Sequence, residues 1–442
     1  MSIDFSKFKV PGPKSLELFE EESNFMAPGL QSIGLFSRIV VKEAKGVWVE
    51  DVDGNRYIDF TAGIGVGSLG HAHPHYVKVL CDQIARANYG SFSSENRVEF
   101  LRLLTYETPT GLDAVQMYSG GAEAVEAALR LAKSVTHKYE FCAFWGGFHG
   151  KTGGVLGLLG DTSFKVGLGP MMPGLYLPGP YAYCYRCSLG LSYPECGFGC
   201  LELFREGIRR QTTQNIAAIL VEPIQGTAGN VVPPPGYIKA VQELAKEFDA
   251  LLIADEMITG FGRTGRMWGV ERDGIVPDVM TLGKGIGSGF PLSAIVSSME
   301  MAKAKPFGNP SGSSSSYGGN PMAAAAGRAV LEVIKNENLV ENARKVGAAM
   351  MKRFLELKEE SPFVGDVRGQ GLMIGVELVK DKKTKEPLNK ELTRRLFHEC
   401  LDRGLISMCY SHNVRINPPL VISEEDALEG CEIFCSALKA LE

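Results

Sequence analysis

The chain has 442 residues, 45% of them hydrophobic and 22% charged, the profile of an ordinary globular protein long enough for two lobes. A formal net charge of −5 gives no electrostatic drive toward nucleic acid or an anionic membrane. No run approaches the roughly 18 apolar residues of a membrane span, and Met1–Lys7 shows no apolar signal-peptide core, so a cytoplasmic location with ten reduced cysteines is expected.

In chain order, residues 1–36 read as a polar, turn-rich arm. Over 37–60, Val47, Val49 and Asp51 precede the turn Asp53-Gly54-Asn55, and Tyr57-Ile58-Asp59-Phe60 follows it, which predicts a hairpin. From about 67 to 325, short apolar runs alternate with helical patterns. The runs include Phe141–Trp145, Ala217–Glu222, Leu251–Asp255, Val279–Leu282 and Leu292–Ser297. Runs of this kind separated by helices predict a mostly parallel, buried sheet. Ala122–Lys133 is rich in Ala, Leu and Glu and predicts a helix. Beyond about 330, long helices near 320–335, 339–359, 388–402 and 424–441 flank short strands such as Met373–Val379. The expected fold class is α/β. A large, mostly parallel sheet domain flanked by helices covers 67–330, and a smaller α+β domain covers 331–442. The arm and hairpin of 1–66 pack with the small domain.

Several segments carry chemistry. Lys284 lies among glycines just past one apolar run, and Asp255 ends another. A lysine amine can attack an aldehyde carbon, and a carboxylate can hold a pyridinium proton. Ser119-Gly120-Gly121-Ala122 opens the predicted helix, where free N–H groups and the helix dipole favour an anion such as phosphate on Gly120, Gly121 and Ala122. Phe148, beside glycines, suits stacking on a planar ring. Glu222 ends a strand, as either a site residue or a surface acid. Arg415 sits between apolar residues, where its planar fork suits a carboxylate or a structural ion pair.

Together and in this order, the motifs resemble the class III aminotransferases, pyridoxal-phosphate enzymes of fold type I. The resemblance runs from the Gly46–Phe60 hairpin through Arg415. It rests on Gly70-His71-Ala72-His73-Pro74, Ser119–Glu123, Phe148-His149-Gly150, Glu222-Pro223-Ile224-Gln225, Asp255-Glu256, Gly260-Phe261-Gly262-Arg263-Thr264-Gly265, Gly283-Lys284, Tyr317-Gly318-Gly319-Asn320-Pro321, Arg368-Gly369-Gln370-Gly371-Leu372 and Arg415. It implies that Lys284 forms the internal aldimine and then shuttles the substrate proton, while Asp255 bonds the pyridine nitrogen. Phe148 matches the stacking aromatic, with His149 in the same cofactor motif, and Gly121 and Ala122 match the phosphate cup. Ser315 and Ser316 match hydroxyl residues that reach a neighbouring subunit's cofactor phosphate, implying a homodimer or a dimer of dimers. Arg415 matches the carboxylate-binding arginine, and Glu222 the acid that can pair with it.

The chain also departs from the family pattern. Met257 and Ile258 stand where Val and Gln are common. Met257 can still pack on the ring, Ile258 cannot bond its oxygen, and an apolar residue there resembles the ω-amino-acid and amine transaminases. The stretch Thr136–Gly179 also resembles 2,2-dialkylglycine decarboxylase. Ile64, in Thr61-Ala62-Gly63-Ile64, replaces that enzyme's polar glutamine near the substrate carboxylate, which argues against decarboxylation. The expected reaction is amino transfer from an ω-amino acid or related amine to pyruvate or 2-oxoglutarate. A racemase or epimerase on the same scaffold is the alternative, and a non-catalytic cofactor-holding protein is a weaker one. Cys184, Cys187, Cys196 and Cys200 have spacing that resembles a zinc knuckle, but reduced loop thiols are the favoured reading, with no metal. The His71–His75 cluster reads as a structural turn.

Overall fold

The computed structural model describes residues 8–171 and 176–442. Met1–Lys7 and a short part of the Thr136–Gly179 stretch lie outside the described residues. Two compact units make up the chain. One combines the residues up to His73 with Asn342–Glu442, and the other is Pro74–Glu341.

A seven-stranded sheet forms the middle of the Pro74–Glu341 unit. Its order is Ala114–Tyr118, Ser293–Ser297, Val279–Leu282, Leu251–Asp255, Ile216–Val221, Glu140–Phe144 and Tyr176–Gly179. The last five strands in that order, from Val279–Leu282 onward, are parallel to one another, and Ser293–Ser297 runs antiparallel to both its neighbours. Central strands must be apolar on both faces. Accordingly, every residue of Ile216–Val221 is buried.

The helix Gly121–Thr136 packs on this sheet through Ala124, Val125, Ala128, Leu131 and Ala132, all buried. Alanines on that face let the helix approach closely. Each fully buried leucine such as Leu131 contributes about 2 kcal/mol. Pro321–Asn336 begins with proline at its first turn. The Asn320 side chain accepts from the N–H groups of Met322 and Ala323, both at 2.9 Å, capping two otherwise orphan donors.

In the other unit, Trp48–Asp51 and Arg56–Asp59 form the hairpin expected around Asp53-Gly54-Asn55. The Asp51 carboxylate fixes the turn by accepting from Asp53 N–H, Asn55 N–H and the Tyr57 hydroxyl at 2.9, 2.9 and 2.6 Å. The arm contains the helix Pro13–Ser23. The Asp53 carboxylate accepts from Lys14 and Ser15 N–H, both at 2.9 Å, and so caps that helix from the hairpin. A second sheet pairs Val364–Gln370, Met373–Asp381, Glu386–Pro387 and Asn413–Ile416.

Candidate active site

Apart from Ser315 and Ser316, the candidate cofactor residues of the Pro74–Glu341 unit lie at or just after the C-terminal ends of its strands, where open α/β sheets bind their ligands. Asp255 closes its strand and is 2% exposed. Its register partner on the next parallel strand is Thr281, three residues before Lys284. Lys284 itself has φ of 46°, an uncommon left-handed backbone for a side-chain-bearing residue.

Met257 ties these parts together. A Cβ on Gly283 would meet the Met257 sulfur at 2.3 Å, and one on Gly121 would meet it at 3.0 Å. The thioether therefore lies against both the loop entering Lys284 and the start of the Gly121–Thr136 helix. Glycine at 283 serves that clearance rather than a special backbone conformation, since its backbone is extended. The Phe148-His149-Gly150 loop adjoins the same helix start, because a Cβ on Gly150 would meet the Ala122 Cβ at 2.5 Å. Phe148 is half-buried and meets Phe164 edge-on at 5.1 Å. Ile258 is buried.

At the helix start, the Glu123 carboxylate accepts from the N–H groups of Ser119 and Gly120, at 3.0 and 2.8 Å. Gly120 therefore spends its N–H on capping, and its carbonyl accepts from the Ser293 hydroxyl at 2.8 Å. Gly121 and Ala122 begin the helix, where no preceding turn supplies carbonyls to their N–H groups. Their N–H groups are among the helix-start donors open to an anion.

His149 holds Asp255 rather than standing in the open. Its Nδ1 is 2.7 Å from Asp255 Oδ2, and both side chains are 1% exposed. The Met257 N–H donates to the other carboxylate oxygen at 3.1 Å. Burial would lower the His149 pKa, but the hydrogen bond and charge of Asp255, with Glu222 adding, outweigh burial and the opposing Lys284 charge and raise it. Glu222 accepts from Phe148 N–H at 3.0 Å and Gly226 N–H at 2.9 Å. Burial raises its pKa, with Asp255 adding and His149 and the two N–H donors opposing. Burial also pushes neighbouring Glu256 up to about 7, against donation from Thr259, Gly269 and Val270.

Three participants were not singled out from sequence. The Tyr181 hydroxyl donates to the carbonyls of Glu222 and Pro223, at 3.0 and 3.2 Å. The Gln225 amide donates to the Trp145 carbonyl at 2.9 Å, and only its place in a quoted motif pointed to it. Thr281 places a buried hydroxyl, with no hydrogen-bond partner among the described residues, at the register position of Asp255.

Ser315 accepts from Gly318 N–H at 3.1 Å, and Ser316 is exposed. Ile64 and Arg415 belong to the other unit. Ala62, Gly63, Ile64 and Gly65 all have positive φ, of 44, 61, 68 and 74°. A β-branched residue in that region is strained, as functional loops often are. Arg415 is half-buried on Asn413–Ile416, opposite Gly375. The Asn417 N–H donates to the Phe60 carbonyl at 2.8 Å, tying that strand's end to the segment leading into Ile64. His75 bonds Glu332 at 2.7 Å, and His71 Nε2 lies 3.9 Å from Asp59.

This donor set fits pyridoxal phosphate. A buried carboxylate suits the ring nitrogen, a lysine the aldehyde, and free N–H groups at a long helix's start the phosphate. The glycines at 121 and 283 leave room for the Met257 thioether between the helix start and the lysine loop.

Comparison with known proteins agrees. The family model for class III aminotransferases matches residues 33–438. The 4-aminobutyrate aminotransferase of Mycobacterium leprae is 36% identical over 97% of each chain. The alanine/serine racemase of Pyrococcus horikoshii is 35% identical over 98% of this chain and 92% of its own. The solved structure of an (S)-enantioselective omega-transaminase from Thermomicrobium roseum is 33% identical, with a TM-score of 0.88 over 96% of this chain and 98% of that one. The chain belongs to the class III aminotransferases, pyridoxal-phosphate enzymes of fold type I.

Proposed function

We propose that the chain transfers an amino group from an ω-amino acid or related amine to pyruvate or 2-oxoglutarate, with Lys284 and Asp255 as its catalytic residues. The observation carrying this is the buried Asp255 carboxylate, held by His149 and Met257 N–H, at the register position leading into Lys284. When bound, pyridoxal phosphate supplies an aldehyde that condenses with amines and a ring that takes up the electron pair released at the substrate carbon.

The residues divide the remaining work. Asp255, fixed by His149, holds a proton at the ring nitrogen and keeps the ring electron-poor. With the cofactor bound, Lys284 Nζ would be the group that takes the proton from the substrate carbon and gives it back. Gly121 and Ala122 N–H groups would hold the phosphate, and Phe148 and Met257 would pack against the ring. Arg415 binds a substrate carboxylate through its fork. Ile64 and Ile258 present apolar surface. The relative named for 4-aminobutyrate supports the ω-amino acid class.

The site is completed in a homodimer. Tyr89, Phe92 and Tyr317 are 82, 87 and 72% exposed, an apolar display suited to a second copy. Exposed Ser316, beside Tyr317, is then available to a neighbouring subunit's cofactor phosphate. Cytoplasmic residence agrees with ten free cysteines. Among the described residues no helix is long and apolar enough to cross a membrane.

The test mixes the holoenzyme with 4-aminobutyrate, β-alanine or L-alanine alone and follows conversion of the cofactor to its amine form, then its recovery on adding oxo acid. The racemase relative motivates one rival. Racemisation of L-alanine with no oxo acid present, and no cofactor conversion by any ω-amino acid, would replace the proposal with that rival.

A further inference from the structure

Residues 180–198 join the edge strand Tyr176–Gly179 to the helix Gly199–Gln211, and they carry one short 3₁₀ turn, Cys184–Arg186. Loops this long are uncommon in compact units unless something ties them down. Aromatic packing supplies part of the tie. Tyr193 stacks on Phe198 at 5.5 Å, and Phe198 meets Tyr237 edge-on at 5.6 Å.

The middle of the loop is built around sulfur. Cys184, Cys187, Cys196 and Cys200 all line one cavity, with Tyr193 and Pro234 in its wall. Its volume of about 20 Å³ admits about one water-sized occupant. Cys187, Cys196 and Cys200 are half-buried there, and Cys184 is exposed at its edge. The backbone is bent here. Gly197 and Phe198 are both left-handed, with φ of 53 and 61°, and turn the chain between Cys196 and Cys200. For phenylalanine that conformation is uncommon. Gly190 N–H donates to the Cys187 carbonyl at 3.1 Å and closes the turn after Cys187.

We propose that Cys184, Cys187, Cys196 and Cys200 bind one zinc ion in a structural tetrathiolate site. The C-x2-C and C-x3-C spacings and the four thiols lining one cavity are the features that point to such a site. Among the described residues no three potential ligands are gathered ready to hold a metal. Binding therefore draws the sulfurs inward, to Zn–S distances of about 2.3 Å, with four thiol protons released as four Zn–S bonds form. The loop begins beside Tyr181, whose hydroxyl holds the Glu222 and Pro223 carbonyls. The ion thus secures the support beneath a strand end of the candidate active site, whatever reaction runs there.

The test is metal analysis of tag-free holoenzyme, with thiols counted after denaturation. The expected result is about one zinc per chain, retained by Cys81→Ser and lost in Cys187→Ser and in Cys200→Ser, with ten titratable thiols in the unaltered protein. Below about 0.1 zinc per chain in the unaltered protein after growth and refolding with zinc would overturn the proposal. Fewer than ten thiols, with two or four of the loop cysteines joined as disulfides, would overturn it equally.

Discussion

His149→Ala isolates the pair on which the candidate site turns. The Nδ1 to Oδ2 distance is 2.7 Å and both side chains are 1% exposed. Removing one partner of such a buried pair costs about 3–5 kcal/mol, because the other group is left buried without compensation. At about 2.1 cal/mol/K per residue, this lowers the melting temperature by roughly 5–9 °C if Pro74–Glu341 melts as one body. The effect has a pH signature. Asp255 raises the His149 pKa above its ordinary 6.5 despite burial. Its contribution is therefore fully present below pH about 6.5 and fades as pH rises through the folded-state value. Differential scanning fluorimetry of both proteins between pH 6 and 9 should show the deficit shrinking toward high pH. His149→Asn keeps an N–H donor toward Asp255, so it should recover part of the loss without that pH dependence. Equal melting temperatures for His149→Ala and the unaltered protein at every pH would refute the reasoning.

Gly283→Ala puts a methyl 2.3 Å from the Met257 sulfur. Met257 must swing aside, and cofactor affinity should fall on the order of tenfold, or about 1.4 kcal/mol; unchanged affinity by equilibrium titration would show that Met257 does not border the cofactor. Arg415→Ala should lower kcat/KM for donors bearing a carboxylate by about 30- to 1000-fold, the range for a lost charge-assisted fork. An amine without a carboxylate should be spared, and equal losses for both would remove Arg415 from substrate binding. Sedimentation equilibrium should give the mass of two chains or four, and a single-chain mass at micromolar concentration would contradict the dimer.

The central strands were legible because burial on both faces demands unbroken apolar runs, as in Leu251–Asp255 and Val279–Leu282. Both outer strands escaped notice. Gln116 interrupts Ala114–Tyr118, and Pro178 lies in Tyr176–Gly179, an edge position where a missing N–H is tolerated. The arm helix was obscured by its polar residues, although Pro13 at its first turn was a usable start signal. Its cap comes from Asp53, 38 and 39 residues along the chain from the two donors, which no local pattern reveals. The candidate site divides the same way. Lys284, Asp255, Gly121 and Phe148 stand in motifs, so their types were readable. That His149 spends its ring on Asp255, 106 residues away, follows only from the fold. So does the capping of Gly120 by Glu123, and the Met257 thioether packed against Gly121 and Gly283.

The most direct test of the account is the half-reaction of Lys284→Ala. The variant, loaded with pyridoxal phosphate, is mixed rapidly with 4-aminobutyrate, and conversion of the cofactor to its amine form is followed by absorbance. If Lys284 Nζ moves the substrate proton, the rate falls by about 10²–10⁴-fold, the usual worth of a positioned acid–base group, and added methylamine restores part of it. Conversion at the native rate, with repeated turnover once pyruvate or 2-oxoglutarate is supplied, would contradict the assignment.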